Sequence, residues 1–164
     1  MGHSLMPSKE TKIRLGNPHD YPSVKEVFRA CIDQGSSEFY SEEQRTAWKE
    51  GVDNKERWHR KMRDDYFLIA ENKSGSVIGF ASLSWDGYLD TLYVHPDFQR
   101  QKVANALYHS IEKEARSKSY DRIYVDSSHW AKPFFEANGF LEIAENEVER
   151  KGVKLTNFRM ERHI

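Results

Sequence analysis

Six consecutive residues, Gln99-Arg100-Gln101-Lys102-Val103-Ala104, join a stretch of β-branched and aromatic side chains to a stretch of helical periodicity. A strand that feeds a short basic loop into a helix start builds an anion site, because the first turn has unpaired N–H groups and the positive end of the helix dipole. Arg100 and Lys102 add full charges to it. Just upstream, two-residue alternation predicts that Tyr88, Asp90 and Leu92 share one face of a strand. A carboxylate at a half-buried strand end has its pKa raised by desolvation, which suits Asp90 to work as a general base. The competing reading is a solvated aspartate or a partner for a nearby cation.

These residues need a frame. The run Tyr88–Val94 reads as a strand ended by His95-Pro96-Asp97. Val103, Ala106, Leu107, Ser110, Ile111 and Ala115 recur at helical spacing, with Glu112 and Arg116 in pairing register on the opposite face. Before them, Tyr66–Ala70 and Val77–Leu83 are strands separated by turn compositions at 72–76 and 85–87, which predicts an antiparallel meander. After the helix, Arg122–Val125 is a short strand, and a strand-helix-strand crossover of this length implies parallel pairing with Tyr88–Val94. At the N-terminal end, Ile13–Leu15 reads as a strand. Asp20 is placed to cap a helix that has Pro22 in its first turn, and Val24, Val27, Phe28, Cys31 and Ile32 form its apolar stripe. Cys31 therefore reads as a small buried hydrophobe rather than a nucleophile. Ser41 to Gln44 is a capping box that opens a second helix, and Lys55–Arg63 continues as a third. Phe39, Tyr40, Trp48 and Trp58 either pack these helices or line a ligand pocket.

A second block, Ala131-Lys132-Pro133-Phe134-Phe135-Glu136-Ala137-Asn138-Gly139-Phe140, is a short helix with a C-cap glycine, followed by a strand. Val148 to Arg162 reads as two strands around Lys151-Gly152. The 99–104 segment resembles the acetyl-CoA pyrophosphate loop of the GNAT family of N-acetyltransferases, Gln/Arg-x-x-Gly-x-Gly/Ala, with Lys102 in place of the usual first glycine. The second block resembles the family segment Ala-x-x-Phe-Tyr-Glu-x-x-Gly-Phe, at the expected distance. The resemblance, to an uncharacterised bacterial subgroup, runs from about Ile13 to Glu161.

The resemblance implies an α/β GNAT fold: a mixed, mostly antiparallel sheet with two splayed central parallel strands flanked by helices. It implies that acetyl-CoA is a co-substrate whose pantetheine lies along Leu92, Tyr93 and Val94, with its pyrophosphate on the N–H groups of Arg100 to Ala104. Gln99, Lys132 and Phe135 belong to the same cofactor set, and Ser128 replaces an asparagine often found after the fifth strand. The family often takes its general acid from the tyrosine of Phe-Tyr-Glu; here Phe135 stands there without a hydroxyl. Tyr124, with Tyr93 as a second candidate, is the expected substitute. The implied reaction is direct acetyl transfer to a primary amine of a small molecule, with Asp90 as base. The alternatives are an acyl-CoA-binding sensor, which Phe135 and Lys102 favour, and a protein N-acetyltransferase.

Composition excludes other classes. The 164-residue chain suits one domain, taken as residues 6–164, with Met1-Gly2-His3-Ser4-Leu5 as an added leader before a native Met6. A formal net charge of −1 argues against a general nucleic-acid binder, and no apolar run suits a membrane span. A lone cysteine fits a reducing cytoplasm. Scattered histidines give no metal-ligand spacing, so no metal is expected. Asp126-Ser127-Ser128-His129 lacks the nucleophile elbow of a hydrolase. An exposed C-terminal strand is expected to leave an edge for a homodimer.

Overall fold

The computed structural model describes residues 11–35, 38–99 and 102–164. The proposed leader and the two loop residues Arg100 and Gln101 lie outside them. In chain order the elements are β1 (Lys12–Leu15), α1 (Tyr21–Ala30), α2 (Glu42–Lys49), α3 (Lys55–Asp64), β2 (Tyr66–Glu71), β3 (Val77–Leu83) and β4 (Leu89–Val94). They continue with α4 (Val103–Ser117), β5 (Arg122–Ser127), α5 (Lys132–Ala137), β6 (Leu141–Arg150) and β7 (Val153–His163).

The strands form an antiparallel sheet β1-β2-β3-β4 and a second antiparallel sheet β5-β7-β6. One parallel bridge, Tyr88 to Tyr124, joins them, reinforced by the Tyr124 N–H donating to the Gly87 carbonyl at 3.1 Å. Past that point no ladder connects β4 to β5, so the expected pair of central parallel strands is splayed into a V. The C-terminal strand differs from expectation. β7 sits between β5 and β6, and the free edge belongs to β6, where Leu141 and Ile143 are exposed.

Two apolar cores flank the first sheet. Leu68, Ile78, Leu89, Val94, Leu107, Ile111 and Phe135 pack between the sheet and α4, while Val24, Phe28, Trp58, Ile69 and Phe80 pack on the other face against α1 and α3. The stripe predicted for α4 is buried there except for the half-buried Ser110, and Glu112 accepts from Arg116 at 3.1 Å and from Arg162. Asp20 does not cap α1. Its carboxylate takes both terminal nitrogens of Arg14, at 3.0 and 2.8 Å, plus the Asn17 N–H, and Arg14 reaches on to Glu71. A forked guanidinium outcompetes a single cap bond for that carboxylate. Ser41 makes the expected capping box with Gln44.

Lys102 is the N-cap of α4 and adopts φ 63°, ψ 20°, the left-handed region. The backbone has kept the conformation that a glycine would supply freely, at a cost of about 1–2 kcal/mol for a residue with a Cβ. Lys102→Gly is therefore expected to stabilise the fold by about 1 kcal/mol, read as a higher urea midpoint at constant slope. A lower midpoint would show that the lysine side chain more than offsets the strain.

Candidate active site

β4 does not keep one alternation along its length. Ser82 pairs with Thr91 but Leu83 pairs with Leu89, which leaves Asp90 as the extra residue of a β-bulge. Side chains on either side of a bulge change faces. Leu92 therefore does not point with Tyr88 and Asp90 as the alternation predicted: Leu92 packs toward the α4 core, whereas Tyr88, Asp90, Thr91 and Tyr93 line a cavity on the other side. The register also sorts the backbone groups. His95 N–H donates to the Ile78 carbonyl, so alternate residues Tyr93 and Thr91 turn their amides and carbonyls to β3. Leu92 and Val94 turn theirs to the open side of the V. Of the three residues expected to pair with pantetheine, Tyr93 has its backbone committed elsewhere.

Two cavities open along β4. The first, about 250 Å³, is walled by aromatics Phe28, Tyr40, Trp48, Trp58, Tyr88 and Tyr93, with the charged groups Arg57, Lys61, Asp90, Asp126 and Arg150 among them. Its roof is brought in from far along the chain. Gln44 donates to the Lys154 carbonyl at 2.9 Å, and the Tyr40 hydroxyl donates to the Thr156 carbonyl at 3.0 Å while accepting from His129 N–H. These bonds hold α2 against the β6–β7 hairpin. The aromatics thus do both jobs weighed for them, except Phe39, which is exposed, stacks on His129 and lines neither cavity.

Asp90 is ion-paired with Lys61 of α3, whose side chain is only 10% exposed. Burial pushes the Lys61 ammonium pKa down; Asp65, at 4.0 Å, pulls it up, and the charge of Arg57 adds to the lowering. The contact with Lys61 is the partnership with a nearby cation that was weighed against the base reading of Asp90. Asp126 is held by Arg159 in a two-pronged contact at 2.7 and 3.1 Å and accepts from the Tyr88 hydroxyl at 2.9 Å. Ser128 lines this first cavity, and its Oγ accepts from Ala131 N–H, opening the turn before α5.

The second cavity, about 340 Å³, lies in the mouth of the V against Leu92, Val94, Gln99, Ala104, Phe134 and Phe135. Tyr93 lines both cavities and stands at their junction. Burial raises the Tyr93 hydroxyl pKa, so it keeps its proton at neutral pH. The Val94 carbonyl is taken by Gln99 Nε2 at 2.8 Å and by Cys31 Sγ at 3.1 Å. Beside this cavity the Lys102 side chain makes no cap bond to the first turn of α4. Its N–H groups remain available to an anion. Val103 itself is core.

Burial pushes the Cys31 thiol up to about 12, with the Val94 carbonyl working slightly the other way. The native thiol is expected to resist iodoacetamide at pH 8 and to label fully only in denaturant, read by intact mass. Fast labelling of the native chain would contradict the burial.

Ser128, expected beside the cofactor, thus lines the first cavity instead, and Tyr124 and Lys132 stand outside both. Tyr124 lines neither cavity; its hydroxyl donates to Asp86 at 2.6 Å and its ring lies between Arg122 and Arg159. A strand position next to the bridge, with the ring packed on Tyr88, leaves it outside both cavities. Lys132 pairs with Glu142 over the Phe158 ring and also lines neither cavity. Asp126, Ser128 and His129 do not converge as a triad, because the carboxylate serves Arg159 and the imidazole stacks on Phe39. Among the described residues, no three His, Cys, Asp or Glu side chains gather as a metal site, and no helix is long and apolar enough to cross a membrane.

A family model described as an acetyltransferase (GNAT) domain matches residues 36–162. An uncharacterised N-acetyltransferase of Escherichia coli K12, YafP, is 34% identical over 149 residues, covering 91% of this chain and 93% of that one. A GCN5-related N-acetyltransferase structure from Rhodopseudomonas palustris superposes with a TM-score of 0.91 at 31% identity, covering 97% of this chain and 98% of its own. The PaiA N-acetyltransferase of Thermoplasma acidophilum, solved with coenzyme A, shares the fold with a TM-score of 0.78 at 22% identity, covering 94% of this chain and 99% of that one.

Proposed function

Since the chain belongs to the GNAT family of acetyltransferases, we propose that it transfers the acetyl group of acetyl-CoA directly to a primary amine of a small molecule. The observation that carries this reading is the pair of cavities meeting at Tyr93, one beside the start of α4 and one against Asp90. The residues fit acetyl-CoA. Leu92 offers backbone groups on the open side of the V, an apolar wall runs from Leu92 to Phe135, and the α4 start offers amides for phosphate. Arg100, Gln101 and Lys102 extend that basic end in sequence. Acetyl-CoA supplies an acyl thioester that an amine can attack.

The protein's own groups then divide the work. Asp90 accepts the amine proton, and an arriving ammonium exchanges for Lys61 at that carboxylate. Leu92 N–H donates to the acyl oxygen as it gains charge. The protonated Tyr93 hydroxyl gives its proton to the departing sulfur in place of the hydroxyl absent from Phe135. Tyr93→Phe is expected to lower kcat about tenfold with little change in acetyl-CoA affinity. An unchanged kcat would remove Tyr93 from proton transfer.

The roof of α2 and the β6–β7 hairpin favours a small acceptor over a polypeptide. The buried lone thiol supports a cytoplasmic setting, residues 6–164 act as one domain, and a homodimer would have to use the β6 edge. The test is thiol release from acetyl-CoA against a panel of amines. One coenzyme A thiol per acetylated amine, without a burst, supports the enzyme. Tight coenzyme A binding with no turnover on any amine would leave the sensor that Phe135 favours.

A further inference from the structure

The charges around the first cavity do not balance. Among the described residues lining it, Asp90 is matched by Lys61, and Asp126 is matched by Arg159. Arg57 and Arg150 have no ion-pair partner among the described residues, although both line the cavity. Their charges reach its interior: Arg57 acts on the Lys61 ammonium and Arg150 on the Tyr93 hydroxyl. Two solvent-facing guanidiniums at the rim of an aromatic chamber therefore leave it with uncompensated positive charge.

A second observation comes from the β6–β7 hairpin, which also carries Arg150. The Asn157 side-chain oxygen is buried and has no hydrogen-bond partner, and Asn157 lines the same cavity. Buried acceptors are ordinarily paired, so this one gains by turning toward a donor in the cavity. The walls between are Trp48 and Trp58, which take an apolar body rather than a polar chain.

Resting on the acetyltransferase reading, we propose that the acceptor is an amine that also bears a carboxylate: an apolar or aromatic amino acid, with its carboxylate on Arg57 and Arg150 and its amino group toward Asp90. Guanidinium forks hold carboxylates in two-pronged contacts that an ammonium cannot reproduce. The cavity volume, just below the usual range for small-molecule sites, suits a compact occupant. Arg57 and Arg150 then set specificity by charge.

The test separates this inference from the reading beneath it. Phenylacetate and neutral 2-phenylethanol are titrated into the protein and followed by tryptophan fluorescence. Phenylacetate is expected to bind at least tenfold more tightly, and Arg57→Gln with Arg150→Gln is expected to bring the two ligands within about twofold. Both arginines are exposed, so these substitutions do not disturb the core. Equal affinity in the parent protein, or an advantage that survives the double substitution, overturns the proposal. In turnover, L-phenylalanine is expected to outpace phenylethylamine at least tenfold in kcat/KM. Faster acetylation of phenylethylamine sinks the carboxylate assignment while leaving the acetyltransferase standing. If phenylacetate binds as expected but no amine releases coenzyme A, the enzyme reading fails instead.

Discussion

Asp90→Asn is expected to lower kcat at neutral pH by about 10²-fold or more, the scale of a lost general base. Asparagine keeps the shape of the carboxylate and its place in the bulge, yet it cannot take a proton from the attacking amine. It also strips Lys61 of its main anion. That ammonium is largely buried, and only Asp65 at 4.0 Å would remain near it. Removing one partner of such a pair costs stability, so the fold is expected to weaken by about 1–2 kcal/mol, discounted for the partial exposure of Asp90. Three readouts distinguish the roles. A base shows loss of kcat with acetyl-CoA affinity unchanged. A purely structural aspartate shows lower stability with turnover kept. Lys61→Met separates the pair further, because it removes the cation and retains the proton acceptor; a loss as deep as that of Asp90→Asn would make the ion pair itself the functional unit.

The parts of the molecule that follow from local rules were legible in the chain. The α4 stripe from Val103 to Ala115, the Ser41 capping box, the meander and the Lys151-Gly152 turn depend on neighbours within a few residues, and they stand where periodicity and turn chemistry put them. The bulge at Asp90 was not legible. Nothing in Tyr88–Val94 marks an extra residue, since a bulge is set by how β3 and β4 register, and one residue of slip moves every later side chain to the other face. That single shift is why Asp90 and Tyr93, rather than Asp90 and Leu92, look into the same cavity. Lys61, Arg57 and Arg150 escaped for a related reason. A charged residue on a polar helix or at a hairpin end is ordinarily solvated, and only long-range contacts such as Gln44 to Lys154 make these three cavity walls. Tyr124 misled because a hydroxyl-bearing residue near a site in sequence says nothing of which end of a splayed strand it occupies.

The V itself hinges on Gly87, and Gly87→Ala is expected to destabilise the protein by about 3 kcal/mol. Its φ of +92° is a conformation that L side chains rarely adopt, and a Cβ there would stand 2.6 Å from the Arg122 carbonyl oxygen, a backbone atom with little freedom to move. Gly87 also accepts the Tyr124 N–H, beside the single parallel bridge between the two sheets. Alanine must therefore push β5 away beside the bridge that ties it to the segment entering β4. Gly75→Ala supplies the control. Gly75 has a similar φ of +82° with nothing within 4 Å of the added methyl, so it carries the conformational cost alone, about 1–2 kcal/mol. The difference between the two variants in urea unfolding measures the close approach, and a coenzyme A titration measures its consequence. Displacement of β5 alters the gap between Leu92 and Phe135, so Gly87→Ala is expected to weaken coenzyme A binding while Gly75→Ala leaves it intact. If the two alanines cost the same stability and neither changes binding, the joint at Gly87 does not set the opening of the cleft.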